Sequence, residues 1–262
     1  MNILDTIIAR KRVEVAERKK QVPVKVLEQM PLFNKKTLSL RSQLLEENAT
    51  GIIAEFKRRS PSKGVINDSA TVQEVTHAYA SNGACGISIL TDTDFFGGRL
   101  EDLAAAIDLD VPLLRKDFMV DAYQLTEAKA HGASVILLIA ACLKVKEVKE
   151  LSEAAHDLGL EVLLELHGDE EIGHITDSVD LVGINNRNLK DFKVDLEASM
   201  RLLEKIPQDK LPIAESGINS VETIVSLKNS GFKGFLIGEH FMRQADPAIA
   251  FAEFIKQLKH KK

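Results

Sequence analysis

The chain has 262 residues, of which 45% are hydrophobic and 28% charged, with a formal net charge of −5. That composition supports a large hydrophobic core and supplies no global basic field of the kind that holds nucleic acid or an anionic membrane. The longest apolar run, VILLIAACL at 135–143, is far short of the roughly 20 residues a membrane helix needs, and Cys85 and Cys142, far apart in apolar contexts, read as reduced core thiols rather than a disulfide or a metal knuckle.

The N-terminus places its charges after its apolar residues and has no small-residue cleavage site, so it is not a secretory signal, and a cytoplasmic location is expected. Ile3, Leu4, Ile7 and Ile8 form a helical apolar stripe, and ARKRVEVAERKK after them reads as a solvated helix face. The rest of residues 1–50 mixes helix and loop signals, which suggests an N-terminal helical extension packed on the remainder of the chain.

From residue 51 one pattern recurs: a short run rich in Val, Ile and Leu, a polar loop, then an amphipathic stretch. The runs are 51–57, 86–92, 111–118, 134–143, 161–168, 181–189, 211–218 and 233–242. Between them, Thr71 with Glu74, Asp121 with Gln124, and Asn219 with Glu222 have capping-box spacing, and Asp246 precedes Pro247 as a cap precedes an N1 proline. Alternating strands and helices at this spacing imply a parallel sheet covered by helices. Eight such units fit a closed α/β barrel, (β/α)8, better than an open doubly wound sheet. Residues 1–262 then make a single barrel domain with its extension.

If a barrel forms, inward residues at the C-terminal ends of strands lie at the rim where such enzymes place their sites. Residues two apart share a strand face. In GIIAEFKRRSPSKG (51–64) the inward set is Ile53, Glu55 and Lys57; the later runs add Leu114 and Lys116, then Leu163, Glu165 and His167, then Gly183, Asn185 and Arg187, then Ile213, Glu215 and Gly217. Ionisable groups arriving from five strands are costly to bury without a use. Two lysines and three glutamates at one rim imply proton transfer. The histidines are scattered, without metal-ligand spacing, no G-x-G-x-x-G follows the first strand, and His167 reads as a rim group. Gly217 and Gly238 sit after the seventh and eighth runs, where barrels hold phosphate with backbone N–H groups. With Ser60, Arg59 and Lys63 in the first loop, a phosphorylated small substrate is expected.

The motifs IIAEFKRRSPSKG, ILTDTDFFGG, LLRKDFMVDAYQ, LLELH, GINNRNL, AESGI and FLIGEHFMR together resemble the indole-3-glycerol phosphate synthase family. The resemblance covers nearly the whole chain. It implies a (β/α)8 barrel that converts 1-(2-carboxyphenylamino)-1-deoxyribulose 5-phosphate into indole-3-glycerol phosphate, carbon dioxide and water, with no metal and no organic cofactor. It further implies that Lys116 is the general acid on the keto oxygen, that Lys57 holds the substrate carboxylate and assists proton transfer, and that Glu165 is the second acid/base group, in the dehydration. Glu55, Asn185 and Glu215 would orient the lysines and bind hydroxyls. Ser60, Arg187, Ser216, Glu239 and the backbone at Gly217 and Gly238 would line the phosphate side, and Phe96 and Leu137 the aromatic ring. Gly98-Arg99 departs from the family's usual Ser-Tyr or similar pair. A monofunctional monomer or weak oligomer is expected, with no nucleic-acid or membrane partner. Alternatives are a sugar-phosphate isomerase barrel such as phosphoribosylanthranilate isomerase, a Schiff-base aldolase built on Lys57 or Lys116, and a silent phosphate-binding scaffold.

Overall fold

The structure is a computed structural model that describes residues 3–187 and 194–261. Three helices come first: α1 (Ile3–Gln21), α2 (Val24–Leu27) and α3 (Leu40–Leu45). Then β1 (Ile52–Phe56) leads into a small antiparallel ribbon of β2 (Arg59–Ser60) and β3 (Gly64–Val65), followed by α4 (Val72–Ser81). The chain continues through β4 (Gly86–Leu90), α5 (Glu101–Ala104), β5 (Leu113–Lys116), α6 (Tyr123–Ala130), β6 (Val135–Ile139) and α7 (Val145–Asp157). It ends with β7 (Glu161–Leu166), β8 (Leu181–Asn185), α8 (Leu196–Leu203), β9 (Leu211–Glu215), α9 (Val221–Ser230), β10 (Gly234–Ile237), α10 (Glu239–Met242) and α11 (Pro247–His260). Strands β1 and β4 to β10 pair in parallel and close into a barrel in the order β1-β10-β9-β8-β7-β6-β5-β4.

All eight expected runs become barrel strands, each shorter than its apolar run. VILLIAACL is not strand throughout: β6 stops at Ile139 and Ala140–Cys142 is a 3-10 turn. The end of the 181–189 run lies outside the described residues. Thr71 caps α4 and Asp246 caps α11 as their spacing predicts, with Pro247 in the first turn. Two caps differ. Ser220, not Asn219, accepts from the Thr223 amide at 3.2 Å, one residue later than expected. Asp121 accepts from the Tyr123 amide at 2.9 Å, while the Gln124 side chain turns back to the Val120 amide and the Phe118 carbonyl, so no reciprocal box forms.

Strand alternation divides the core into two layers. Ile52, Ala54 and Phe56 face the outer helices, whereas Ile53 joins Leu114, Leu137, Leu163, Ile213 and Leu236 inside the barrel. Leu40 and Leu44 of α3 belong to the inner cluster and lie against Gly86 and Gly234, the first residues of β4 and β10. Glu161, which opens β7, accepts from the Leu40 amide at 2.8 Å and the Arg41 amide at 3.1 Å. Helix α3 thus plugs the N-terminal mouth with apolar side chains. Polar inward residues concentrate at the other mouth.

The basic run of α1 is not simply solvated. Lys11 is 1% exposed, and its Nζ lies 2.9 Å from each of Glu14, Asp92 and Asp117. Burial alone would lower the Lys11 ammonium's proton affinity, but these three carboxylates hold it raised. Asp117 also meets Arg115 at 3.1 Å; that arginine is fully buried and meets Glu127 at 2.8 Å. Arg18 reaches Glu127 at 3.2 Å and Lys19 reaches Asp121 at 2.6 Å. Asp92 follows β4, and Asp117 and Asp121 follow β5, so these pairs fasten α1 across the C-terminal mouth. Among the described residues no helix is long and apolar enough to cross a membrane.

Lys11→Met leaves Asp92 and Asp117 buried beside one cation fewer. It is expected to destabilise the protein by about 3–5 kcal/mol, the scale of breaking a buried ion pair by removing one partner, measured by urea denaturation. An unchanged midpoint would show that the cluster contributes nothing to docking α1.

Candidate functional site

A cavity of about 510 Å³ opens at the C-terminal ends of the strands. Its charged wall comes from single positions on successive strands. Glu55, 4% exposed, projects inward from β1, and Lys57, just past the strand end on the same side, places its Nζ 2.7 Å from Glu55 Oε1. From β5, Lys116 places its Nζ 2.8 Å from Glu165 Oε2 and 3.3 Å from Glu215 Oε2. Asn185, at the end of β8, donates from Nδ2 to Glu165 Oε1 at 2.9 Å. One ammonium is thus shared by two carboxylates from two other strands.

The consequences for protonation follow from burial and charge. Burial would lower the Lys116 ammonium's proton affinity, but Glu165, Glu215 and Glu55 together hold it raised. Burial pushes the Glu165 carboxyl up, yet Lys116 and His167 hold it well below the usual range. Glu215 goes the other way: burial pushes it up, Lys116 pulls it down less than that, and Glu165 adds to the rise, leaving it at about 7. Its Oε1 has no hydrogen-bond partner among the described residues. Environments that split the proton affinities of neighbouring carboxyls are how a site separates acid from base.

Two glycines make room for this set. A Cβ at Gly183 would sit 2.0 Å from Glu215 Oε1, and one at Gly238 would sit 2.5 Å from Glu55 Oε1. Any side chain there would push a glutamate off its lysine. Gly238 therefore serves the charged wall as well as letting backbone line the cavity.

Of the other expected residues, Ser60, Phe96, Leu137, Arg187, Ser216, Gly217 and Glu239 all line the cavity, as do Glu55, Lys57, Lys116, Glu165, Asn185 and Gly238. Glu215 does not: at 1% exposure it lies beneath the lining, under Lys116. Ser216 has φ of 67° and Gly217 of 71°. The left-handed region is uncommon for a serine, and Asn186 Nδ2 ties the Ser216 carbonyl at 2.7 Å. Arg187 has an NH2 nitrogen 3.2 Å from Glu239 Oε2, donates from NH1 to Ser62 Oγ at 3.4 Å, and gives its amide to Asn185 Oδ1 at 3.0 Å. Arg59, expected at the anion, turns instead to the Thr93 and Asp94 carbonyls. Lys63 stays near the site, 4.0 Å from Glu239.

The apolar wall is built by Phe96 and Leu137 together with side chains that local pattern did not assign. Phe118 has its ring centroid 6.0 Å from that of Phe96, and Ile3, Leu4 and Ile7 of α1 also line the cavity. The stripe on α1 was visible, but nothing near it in sequence says which surface it covers. At Gly98 a Cβ would meet the Leu90 carbonyl oxygen at 2.1 Å, so the β4 loop packs flat on its own strand there and Arg99 stays exposed. Among the described residues no group of three or more His, Cys, Asp or Glu side chains is arranged to hold a metal ion.

The model of the indole-3-glycerol phosphate synthase family matches residues 4–255. A protein of that description from Bacteroides thetaiotaomicron is 47% identical over 258 residues, spanning 98% of this chain and 99% of its own. Another from Salinibacter ruber is 41% identical, over 96% of this chain and 94% of its own. Among solved structures, a chain from the tryptophan synthase complex of Pyrococcus furiosus matches with a TM-score of 0.62 at 16% identity, covering 81% of this chain and 98% of that one; likeness at that identity shows the barrel fold alone.

The Glu215 carboxyl is expected to titrate near 7 rather than near 4.5. Because the folded state holds this proton more tightly than the unfolded state, the group's contribution to stability is full below about 4.5 and is lost as pH rises through about 7. In Lys116→Met the value should climb further, since the cation that favours the carboxylate is gone. Carbon-13 NMR of labelled glutamate reads both; a Glu215 signal titrating in the ordinary range contradicts the burial argument.

Proposed function

This chain belongs to the indole-3-glycerol phosphate synthase family, and from that premise we propose how its own residues close the pyrrole ring. The activity is that of a decarboxylating carbon–carbon lyase of tryptophan biosynthesis. Its substrate is 1-(2-carboxyphenylamino)-1-deoxyribulose 5-phosphate. The observation that carries the assignment of roles is the Lys116 ammonium held between Glu165 and Glu215 beside an apolar slot.

The phenyl ring lies between Phe96, Phe118 and Leu137, because a flat ring needs an apolar slot. Lys57, held by Glu55, takes the ring carboxylate as an ion pair. Lys116 gives a proton to the keto oxygen as the ring carbon bearing the carboxylate attacks the keto carbon, forming the new carbon–carbon bond. Carbon dioxide then leaves and its bonding electrons restore the ring. Glu165 then moves a proton from the carbon next to the nitrogen to the departing hydroxyl, so that water leaves and the new carbon–carbon double bond completes the pyrrole, with Asn185 fixing the other Glu165 oxygen. Glu215, from beneath, sets the position and charge of Lys116.

The phosphate sits at the opposite end of the cavity, against Ser60, the Arg187 guanidinium, Ser216 and the backbone at Gly217 and Gly238. Glu239 acts by aiming Arg187 rather than by touching the anion, which would repel it. A Schiff-base mechanism needs a neutral lysine, whereas two carboxylates keep Lys116 charged. Ile3, Leu4 and Ile7 line the cavity, which supports reading the N-terminal extension and the barrel as one domain; we propose a monomer or weak oligomer that works in the cytoplasm on a small phosphorylated molecule.

Lys116→Ala is expected to lower kcat by roughly 10² or more, the scale of general acid catalysis, with circular dichroism unchanged. The assay follows indole fluorescence as the carboxyphenylamino substrate is consumed. Near-normal turnover in the variant removes Lys116 from the chemistry, and no signal from the folded wild-type protein refutes the proposed reaction.

A further inference from the structure

A largely buried imidazole stands beside Glu165 with no part in the roles above. His167 follows the end of β7, two residues after Glu165 and on the same side, and its ring lines the cavity. Its Nε2 lies 3.1 Å from Glu165 Oε1, the oxygen that also accepts from Asn185. Its Nδ1 lies 3.7 Å from Glu171 Oε2, the oxygen that accepts the His167 amide at 2.6 Å. Glu171 belongs to the 3-10 turn Asp169–His174 and is itself buried.

Neither ring nitrogen has an aligned hydrogen-bond partner among the described residues, so charge rather than a directional bond holds the ring between two carboxylates. A neutral imidazole carries one N–H and one lone pair. In either tautomer one nitrogen would hold a lone pair within 4 Å of a carboxylate oxygen, whereas the cation sets positive charge near both. We propose that His167 is a positioning residue for the ring closure: as an imidazolium braced by Glu171, it holds Glu165 ionised and aimed at Lys116. The proposal rests on the acid/base role assigned to Glu165 above.

Burial alone would lower the imidazole's proton affinity, but Glu165 and Glu171 outweigh it and push it up to about 9. Lys116 adds a cation on the far oxygen of Glu165, and the Cys142 thiol, on the 3-10 turn after β6, feels the same two carboxylates. Burial, Glu165, Glu171 and Asp5 all raise that thiol's proton affinity. Below the titration of His167, Glu165 is flanked by two cations and resists protonation. Replacing His167 by a neutral side chain removes one of them and leaves Glu165 Oε1 with Asn185 alone.

The test is the pH dependence of kcat and KM for the full-length wild type, His167→Asn, Glu171→Gln and Glu165→Gln. His167→Asn should lower kcat by about tenfold, less than the roughly 10²–10⁴ of a group that transfers the proton itself, with KM within about twofold. The acid limb of its kcat profile should move up by about one pH unit, the size of a typical single-charge perturbation. Glu171→Gln, which keeps the ring but removes its brace, should move the limb the same way by less. A folded His167→Asn whose limb stays in place while Glu165→Gln is inactive overturns the clamp. Glu165→Gln with wild-type turnover overturns the role of Glu165 and this proposal with it. Should His167→Asn fail to fold, nitrogen-15 NMR of the wild-type histidine rings decides: titration well above the ordinary value supports the imidazolium, and titration near about 6.5 overturns it.

Discussion

One largely buried ammonium shared by two carboxylates sets the terms for the rest of this barrel. Lys116 meets Glu165 at 2.8 Å and Glu215 at 3.3 Å, and each of these charges would cost several kcal/mol if buried alone. The surroundings answer that cost residue by residue. Asn185 and His167 balance Glu165, Lys57 neutralises Glu55, and the one carboxyl left without a full partner, Glu215, is the one whose proton affinity rises to about 7. Gly183 and Gly238 are small because the glutamates occupy the space their side chains would fill.

The two mouths of the barrel are built for opposite purposes. At the N-terminal mouth, Leu40 and Leu44 continue the inner apolar layer and Glu161 pins the start of α3, so that end is sealed. At the C-terminal mouth, Lys11, Asp92, Asp117 and Arg115 form a second buried ion cluster beside the cavity. It draws α1 over the β4 and β5 loops, the segments that carry Phe96 and Phe118. Charge in one cluster fixes the walls, and charge in the other faces the substrate. Asp117 and Lys116 are chain neighbours, so the two clusters share a strand end.

Much of this was legible in sequence because alternation is a local rule. Glu55 with Lys57, and Glu165 with His167, stand out as period-2 charges inside apolar runs, and their inward direction followed from the strand geometry alone. What local pattern could not show depends on partners far along the chain. The basic run of α1 looked solvated because the carboxylates that bury Lys11 lie beyond the first barrel strand, at Asp92 and Asp117. The turn after β6 hid inside VILLIAACL because an apolar sequence does not mark where a ladder of hydrogen bonds stops. Ser220 displaced Asn219 as a cap because both can accept and only the final path of the loop selects one. Glu215 was expected to orient the lysines, and it lies 3.3 Å from Lys116; that it is only 1% exposed is set by register between strands, which no single run encodes.

The central claim is that the Lys116, Glu165 and Glu215 cluster is retained for chemistry and not for holding the fold together. Replacing it with apolar side chains of similar size, Lys116→Met with Glu165→Leu and Glu215→Leu, tests this directly when urea stability and turnover are measured on the same protein. A buried ion cluster exchanged for well-packed apolar groups is often neutral or stabilising by about 1–4 kcal/mol, so the predicted result is a midpoint at or above that of the wild type with no detectable ring closure. A folded variant that still turns over substrate, or one destabilised by several kcal/mol, would contradict it.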